Sequence, residues 1–174
     1  APFEIIDLEG DNKDGYTKQI MINSDFCVNI SGFIDRIDRK DGIVRILDYK
    51  TGGDKKKVRS VEALFSEDRR QRNDAAFQLF FYSLLYSSAK GNNETIEPGI
   101  INIREMNSDN FDSRLFFNGN KKINDVRNSL DEFEEFLKET IEKIFNKEIP
   151  FKQTKDLDTC KFCCYKNICN KPLN

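Results

Sequence analysis

The 174-residue chain has no histidine, no apolar run close to the length of a bilayer crossing, and no excess of either charge. Without an imidazole, Ser-His-Asp and Cys-His hydrolases, His-based zinc proteases and any histidine general base are excluded. Carboxylate, lysine and cysteine chemistry remain. A spanning helix needs about 20 apolar residues in a row, so no membrane contact is expected. No signal peptide opens the chain, which therefore reads as cytoplasmic. The 28 Lys and Arg are offset by 30 Asp and Glu, so net charge does not point to nucleic acid, and only its distribution can. Lys55, Lys56, Lys57 and Arg59 form a basic run, with Arg69, Arg70 and Arg72 close behind, whereas residues 131–142 carry an acidic excess. Internal repeats and low-complexity segments are also absent, and the length suits one domain with a real core.

What is present centres on residues 31–52, SGFIDRIDRKDGIVRILDYKTG. Apolar residues alternate with charges on both sides of Asp41-Gly42, a dipeptide suited to a two-residue hairpin turn because both central positions take positive φ. Counting back from that turn sets Lys40 against Ile43, Asp38 against Arg45, Asp35 against Asp48 and Phe33 against Lys50. Side chains alternate faces along a strand, so Asp35, Asp48 and Lys50 share one face with Phe33, Ile37, Val44 and Ile46. Two directly opposed carboxylates repel unless a cation lies between them, and that face is otherwise core-like. The pair Asp38 and Arg45, on the other face, reads as an ordinary cross-strand ion pair.

Residues 2–9 and 16–22 alternate as strands, and residues 26–30 lead into the hairpin. Cys27 lies too far along the strand from Asp35 to share a metal and is expected to be a buried core thiol. Residues 51–59 read as a polar loop and 61–65 as a short helical turn. Asn73-Asp74 caps a helix over 75–89 in which Phe77, Phe80, Phe81, Leu84 and Leu85 form the core stripe and Gln78, Tyr82 and Tyr86 share another face. A loop over 91–97, a strand over 99–104 and an edge strand over 113–117 follow. Apolar residues recurring at three and four from Ile123 to Ile144 predict a helix of about six turns. The tail carries Cys160, Cys163, Cys164 and Cys169, a clustering that in a reducing compartment points to metal or cluster ligation before disulfides.

The sequence GFIDRID at 32–38, DYKTG at 48–52, and Gln78 and Tyr82 on the following helix resemble the RecB-like nuclease domain of the PD-(D/E)XK superfamily. The resemblance is closest to the domain at the C-terminus of AddB-type helicase-nuclease subunits. It implies an α/β, restriction-endonuclease-like core over 1–150, with a central mixed β-sheet flanked by helices, and a cysteine-rich tail over 151–174 packing on it. Such domains usually begin with a helix carrying a further active-site residue and a cysteine, so the start at Ala1 is expected to reflect an excised or processed piece. Glu9 would sit in a strand at the periphery of the site.

The expected activity is metal-dependent, exonuclease-like hydrolysis of DNA within a larger helicase-nuclease acting in repair and recombination. Its partners would be DNA and a helicase subunit or a helicase-like region of the same protein. Asp35 and Asp48, with the Tyr49 main-chain carbonyl, would hold Mg²⁺ or Mn²⁺, since hard oxygen donors suit these ions. Lys50 would orient water and offset negative charge, Gln78 would hold the water or the phosphate, and Tyr82 would position the strand. Lys55, Lys56, Lys57 and Arg59 would track the backbone without reading bases. By the same resemblance Cys160, Cys163 and Cys169 match three ligands of a 4Fe-4S cluster whose fourth thiolate lies upstream. A four-thiolate zinc site is the alternative. A non-catalytic DNA-end-binding module on the same scaffold, stapled by a cysteine metal site, and a cluster-bearing enzyme of unrelated chemistry are the competing readings.

Overall fold

The computed structural model describes residues 2–9, 14–23, 26–53, 55–91, 93–118, 120–150, 152–154, 160–161 and 163–169. The hairpin forms where alternation and turn chemistry demand it. Strands β4 (Arg36–Lys40) and β5 (Ile43–Lys50) pair antiparallel from Lys40 with Ile43 to Arg36 with Leu47. Between them Asp41 and Gly42 take φ of 53° and 79°. Strand β1 (Glu4–Leu8) flanks β4 antiparallel, and β7 (Ile96–Asn102) flanks β5 in parallel, giving a mixed sheet in the order β1-β4-β5-β7. Strands β2 (Tyr16–Asn23) and β3 (Phe26–Gly32) make a separate hairpin. Short pairs at β6 (Lys57–Val58), β8 (Phe116–Phe117) and β9 (Lys121–Lys122) form a third, small sheet.

Helix α1 (Asp74–Lys90) starts where Asn73 Oδ1 accepts the Ala76 N–H at 3.1 Å, the side-chain cap that frees a helix from one orphan donor. It buries Leu79, Phe80, Leu84 and Leu85 in one core with Ile37, Val44 and Ile46 of the hairpin, so the sheet face bearing Asp48 and Lys50 is the face the helix covers. Helix α2 (Leu130–Phe145) joins this core through Phe133, whose ring lies 5.1 Å from Phe65 and 5.3 Å from Phe77 between ring centroids. The result is an α/β, restriction-endonuclease-like architecture, a central mixed sheet flanked by helices with cysteines in the C-terminal region. Among the described residues no helix is long and apolar enough to cross a membrane.

Several local expectations fail, each for a physical reason. The α2 periodicity suggests a start at Ile123, yet residues 126–129 form a 3-10 turn. There the Asp125 carboxylate accepts the Arg127 N–H at 3.1 Å and also binds its guanidinium, a local bond that competes with helix. Strand β7 begins at Ile96 rather than after Pro98. The proline lies inside it, its carbonyl accepting the Leu115 N–H at 3.3 Å. The edge strand over 113–117 shrinks to a bridge at Arg114 and the pair in β8. Cys27 is exposed rather than buried, because Val28 and Ile30 take the inward positions of β3 and leave the alternate ones outside. Phe33 is 51% exposed, since the ladder stops at Arg36 and Phe33 never joins the core face. The expected packing of the tail falls largely on residues 151, 155–159, 162 and 170–174, outside the described ones.

Candidate active site

The site is built at the open end of the hairpin. Beyond the last ladder pair the chain bends at Asp35, whose carboxylate Oδ2 accepts the Tyr49 N–H at 3.0 Å and so stands in for a sheet hydrogen bond. The Glu9 N–H donates to the Asp35 carbonyl at 3.1 Å, holding the same bend from β1 while the Glu9 side chain stays exposed. Asp48, facing α1 and only 1% exposed, lies with Oδ2 2.9 Å from Lys50 Nζ. The Lys50 ammonium donates to Gln78 Oε1 at 2.9 Å, and Gln78 Nε2 donates to Tyr82 Oη at 2.8 Å. Strand β5 and helix α1 are thereby joined by a single polar chain.

Both carboxylates lie within electrostatic reach of the Tyr82 phenol. Burial is the main cause of its raised pKa, the Gln78 hydrogen bond opposes it, and the charges of Asp35 and Asp48 each raise it further. Close approach of Tyr82 is possible because position 32 is glycine: a Cβ there would lie 3.1 Å from the Tyr82 ring and 3.3 Å from Leu85. Tyr86, the third member of the expected face, sits away from the acids. Its phenol meets Glu94, and burial with that acid pushes its pKa up to about 12.

Asp35, half-buried, and Asp48, buried, bring two carboxylates to the end of the hairpin where Lys50 supplies an ammonium. Hard oxygen donors of this kind suit a Mg²⁺- or Mn²⁺-sized ion that keeps several waters. Among the described residues no three His, Cys, Asp or Glu side chains converge as a metal-holding group, so water and substrate oxygens would have to complete the shell. The same observation bears on the tail. Cys160 is buried and Cys163 and Cys169 are half-buried, but these thiols do not gather into such a set.

One turn before Gln78, the start of α1 borders a cleft of about 470 Å³. Lys55, Lys57 and Arg59 line one wall and Arg69, Arg70 and Arg72 the other, with Asp74 the single acid among the described lining residues. Arg70 and Arg72 have carboxylates nearby, Asp68 at 3.6 Å and Asp74 at 2.7 Å. Asn73 ties the walls together: its Nδ2 donates to the Lys55 and Lys57 carbonyls at 2.6 and 3.0 Å while its Oδ1 caps the helix. Lys56 departs from its neighbours. Strand alternation turns it inward, where its ammonium donates to the Asp112 carbonyl at 2.7 Å and lies 4.6 Å from the centre of the Phe111 ring. The arginine wall was visible in sequence only as a charge run, and the second task of Asn73 left no signal beyond its capping role.

No curated protein and no solved structure matches the chain. A family model does: that of the PD-(D/E)XK nuclease superfamily aligns with residues 2–170, taking in the hairpin, the helix over it and the tail cysteines together, and the chain belongs to that superfamily.

Proposed function

We propose that the chain is a metal-dependent DNA nuclease domain, exonuclease-like, working within an AddB-type helicase-nuclease in repair and recombination. Nucleases of the superfamily use divalent metals such as Mg²⁺ or Mn²⁺, and the reading that follows assigns roles to this chain's residues. The observation that carries it is the unbroken polar chain from Asp48 through Lys50 and Gln78 to Tyr82, with Asp35 fastened alongside by the Tyr49 N–H. Motif order, from GFIDRID through DYKTG to Gln78 and Tyr82, supports the finer assignment to the helicase-nuclease group.

In this reading Asp35, Asp48 and the Tyr49 carbonyl hold the ion. A bound divalent ion supplies positive charge to the phosphoryl oxygens and acidifies water. Lys50, anchored between Asp48 and Gln78, directs an N–H at the attacking water or the phosphate and offsets charge that grows as the P–O bond breaks. Gln78 fixes that ammonium through Oε1, and Tyr82, fixed in turn by Gln78, sets the position of the strand. Water adds to phosphorus, the bond to the leaving nucleotide oxygen breaks, and that oxygen takes up a proton. Lys55, Lys57 and Arg59, opposed by Arg69, Arg70 and Arg72, carry the backbone phosphates away from the reacting bond. Among the described residues no aromatic side chain lines that cleft, which suits contact with phosphate rather than base. Residues 1–150 form the nuclease core and 151–174 a tail unit, in which Cys160, Cys163 and Cys169 would serve a 4Fe-4S cluster only with a fourth thiolate from elsewhere.

The test is incubation of the purified protein with linear single- and double-stranded DNA, with Mn²⁺ or with EDTA. Cleavage with Mn²⁺ alone, abolished in Asp48→Ala and Lys50→Ala, is expected. Unchanged cleavage in those variants would overturn the assignment. Binding to DNA ends with no cleavage by the wild type would favour the non-catalytic end-binding module.

A further inference from the structure

Asn102 closes β7 at 1% exposure, and among the described residues neither its Nδ2 nor its Oδ1 has a hydrogen-bond partner. An amide carries two donors and an acceptor, and leaving both ends unmet in the interior is costly, so the position invites a reason. Its surroundings supply one. Strands β5 and β7 run parallel with Lys50 in register with Asn102 and Asp48 with Ile100. Registered neighbours emerge on the same face of a sheet, so Asn102 stands beside Lys50 on the face that carries Asp48 and lies under α1. Burial of Ile96, Pro98, Ile100 and Asn102 at alternate positions of β7 agrees with that placement. The main chain is fixed there too: the Ile103 N–H donates to the Lys50 carbonyl at 3.0 Å and the Glu105 N–H to the Asn102 carbonyl at 2.9 Å.

The Lys50 ammonium has three donors. One N–H goes to Gln78 Oε1 at 2.9 Å, and Asp48 Oδ2 lies 2.9 Å from Nζ as its ion-pair partner. A divalent ion on Asp48 competes for that carboxylate, and two neighbouring cations repel, so an ammonium kept in place needs a neutral acceptor already in reach. We propose that Asn102 is a positioning residue for Lys50: its Oδ1 takes the ammonium when Asp48 turns to the ion. Its Nδ2 is then met by water entering with that ion. The inference rests on the nuclease reading above, and it gives the buried amide a use that an apolar side chain could not fill.

Two measurements test it. The first compares Asn102→Leu, a near-isosteric apolar replacement, with wild type. Relief of an unmet amide raises the thermal midpoint in EDTA, while kcat for Mn²⁺-dependent cleavage of single-stranded DNA falls on the order of 10–100-fold, as for loss of a residue that orients a site ligand, with KM unchanged. Loss of stability and activity together, or an unchanged kcat, would overturn the proposal. The second follows the Asn102 side-chain amide of the ¹⁵N-labelled wild type as Mg²⁺ is added in the absence of DNA. The signal is expected to move in wild type and to stay in Asp48→Ala, and a signal that stays in wild type overturns the proposal even if the variant fails to fold. Should wild type lack Mn²⁺-dependent cleavage, the nuclease reading falls by itself, and the amide shift alone decides the role of Asn102.

Discussion

One hairpin carries two acid clusters, and they are solved in opposite ways. Asp38, fully buried, is saturated: Arg45 Nε and Nη2 donate to its two oxygens at 2.6 and 2.8 Å, and Arg36 Nε donates at 2.7 Å. That is more than the ordinary pair expected with Arg45, since two guanidiniums serve one carboxylate. Arg36 goes further, reaching Tyr49 Oη at 3.0 Å, so the cluster also braces the strand from behind. At the other end Asp48, nearly as dry as Asp38, has the Lys50 ammonium 2.9 Å away, and half-buried Asp35 is held by the Tyr49 N–H. An interior acid matched by surplus positive charge is finished, whereas two acids with one cation are left able to take another. Burial alone therefore does not tell a structural carboxylate from a chemical one; the balance of charge around it does.

The sharpest way to break this contrast is to remove each acid in turn. Asp38→Ala leaves two half-buried guanidiniums without the buried carboxylate they share and is expected to cost about 3 kcal/mol by urea unfolding. Asp48→Asn, measured in EDTA, is expected to be near neutral or stabilising, because it relieves a surplus. Equal losses in the two variants would show that both clusters are structural. Next in size is the effect of adding a divalent cation. Mn²⁺ at about 100 times its dissociation constant is expected to add about 2.7 kcal/mol to wild-type stability, and little to Asp35→Asn or Asp48→Asn. A calorimetric midpoint that ignores Mn²⁺ in wild type would end the idea that these acids bind a cation.

The smallest effect uses Tyr82 as a reporter. Its phenol is held above the ordinary value by burial first and by Asp35 and Asp48 after that, so its contribution to stability is complete below about pH 10 and lost as pH climbs through the raised value. A divalent cation offsets those acids and lowers the pKa, narrowing that window. Spectrophotometric titration with and without Mg²⁺ should show the downward shift at Tyr82, while Tyr86, raised by burial and Glu94, stays near 12. A Tyr82 titration identical in both conditions would place the acids' surplus elsewhere.

Much of this was legible because it is local. The Asp41-Gly42 turn fixes register, and register alone brings Asp48 and Lys50 to the face that α1 covers. Asn73 announces the start of α1, and spacing by four then aligns Gln78 with Tyr82. What stayed hidden depends on partners distant in sequence. Lys56 and Lys57 are indistinguishable in a basic run until the segment takes strand geometry and turns one of them onto Phe111. Asn102 reads as a polar residue ending an apolar strand; that it lies beside Lys50 follows only from the parallel pairing of β5 with β7. Cys27 reads as buried because thiols usually are, and the pleat of β3 decides otherwise.

The tight bend at Asp41 and Gly42 and the bend at Asp35 occupy opposite ends of the same ribbon. Six residue steps along the strand, roughly 20 Å at about 3.3 Å each, separate Gly42 from Asp48. Both turn residues are exposed, and nothing lies within 4 Å of where a Cβ on Gly42 would sit. A cysteine placed at Asp41 could thus carry a dye or tether the molecule to a surface, watching DNA arrive from a distance that leaves the acids undisturbed.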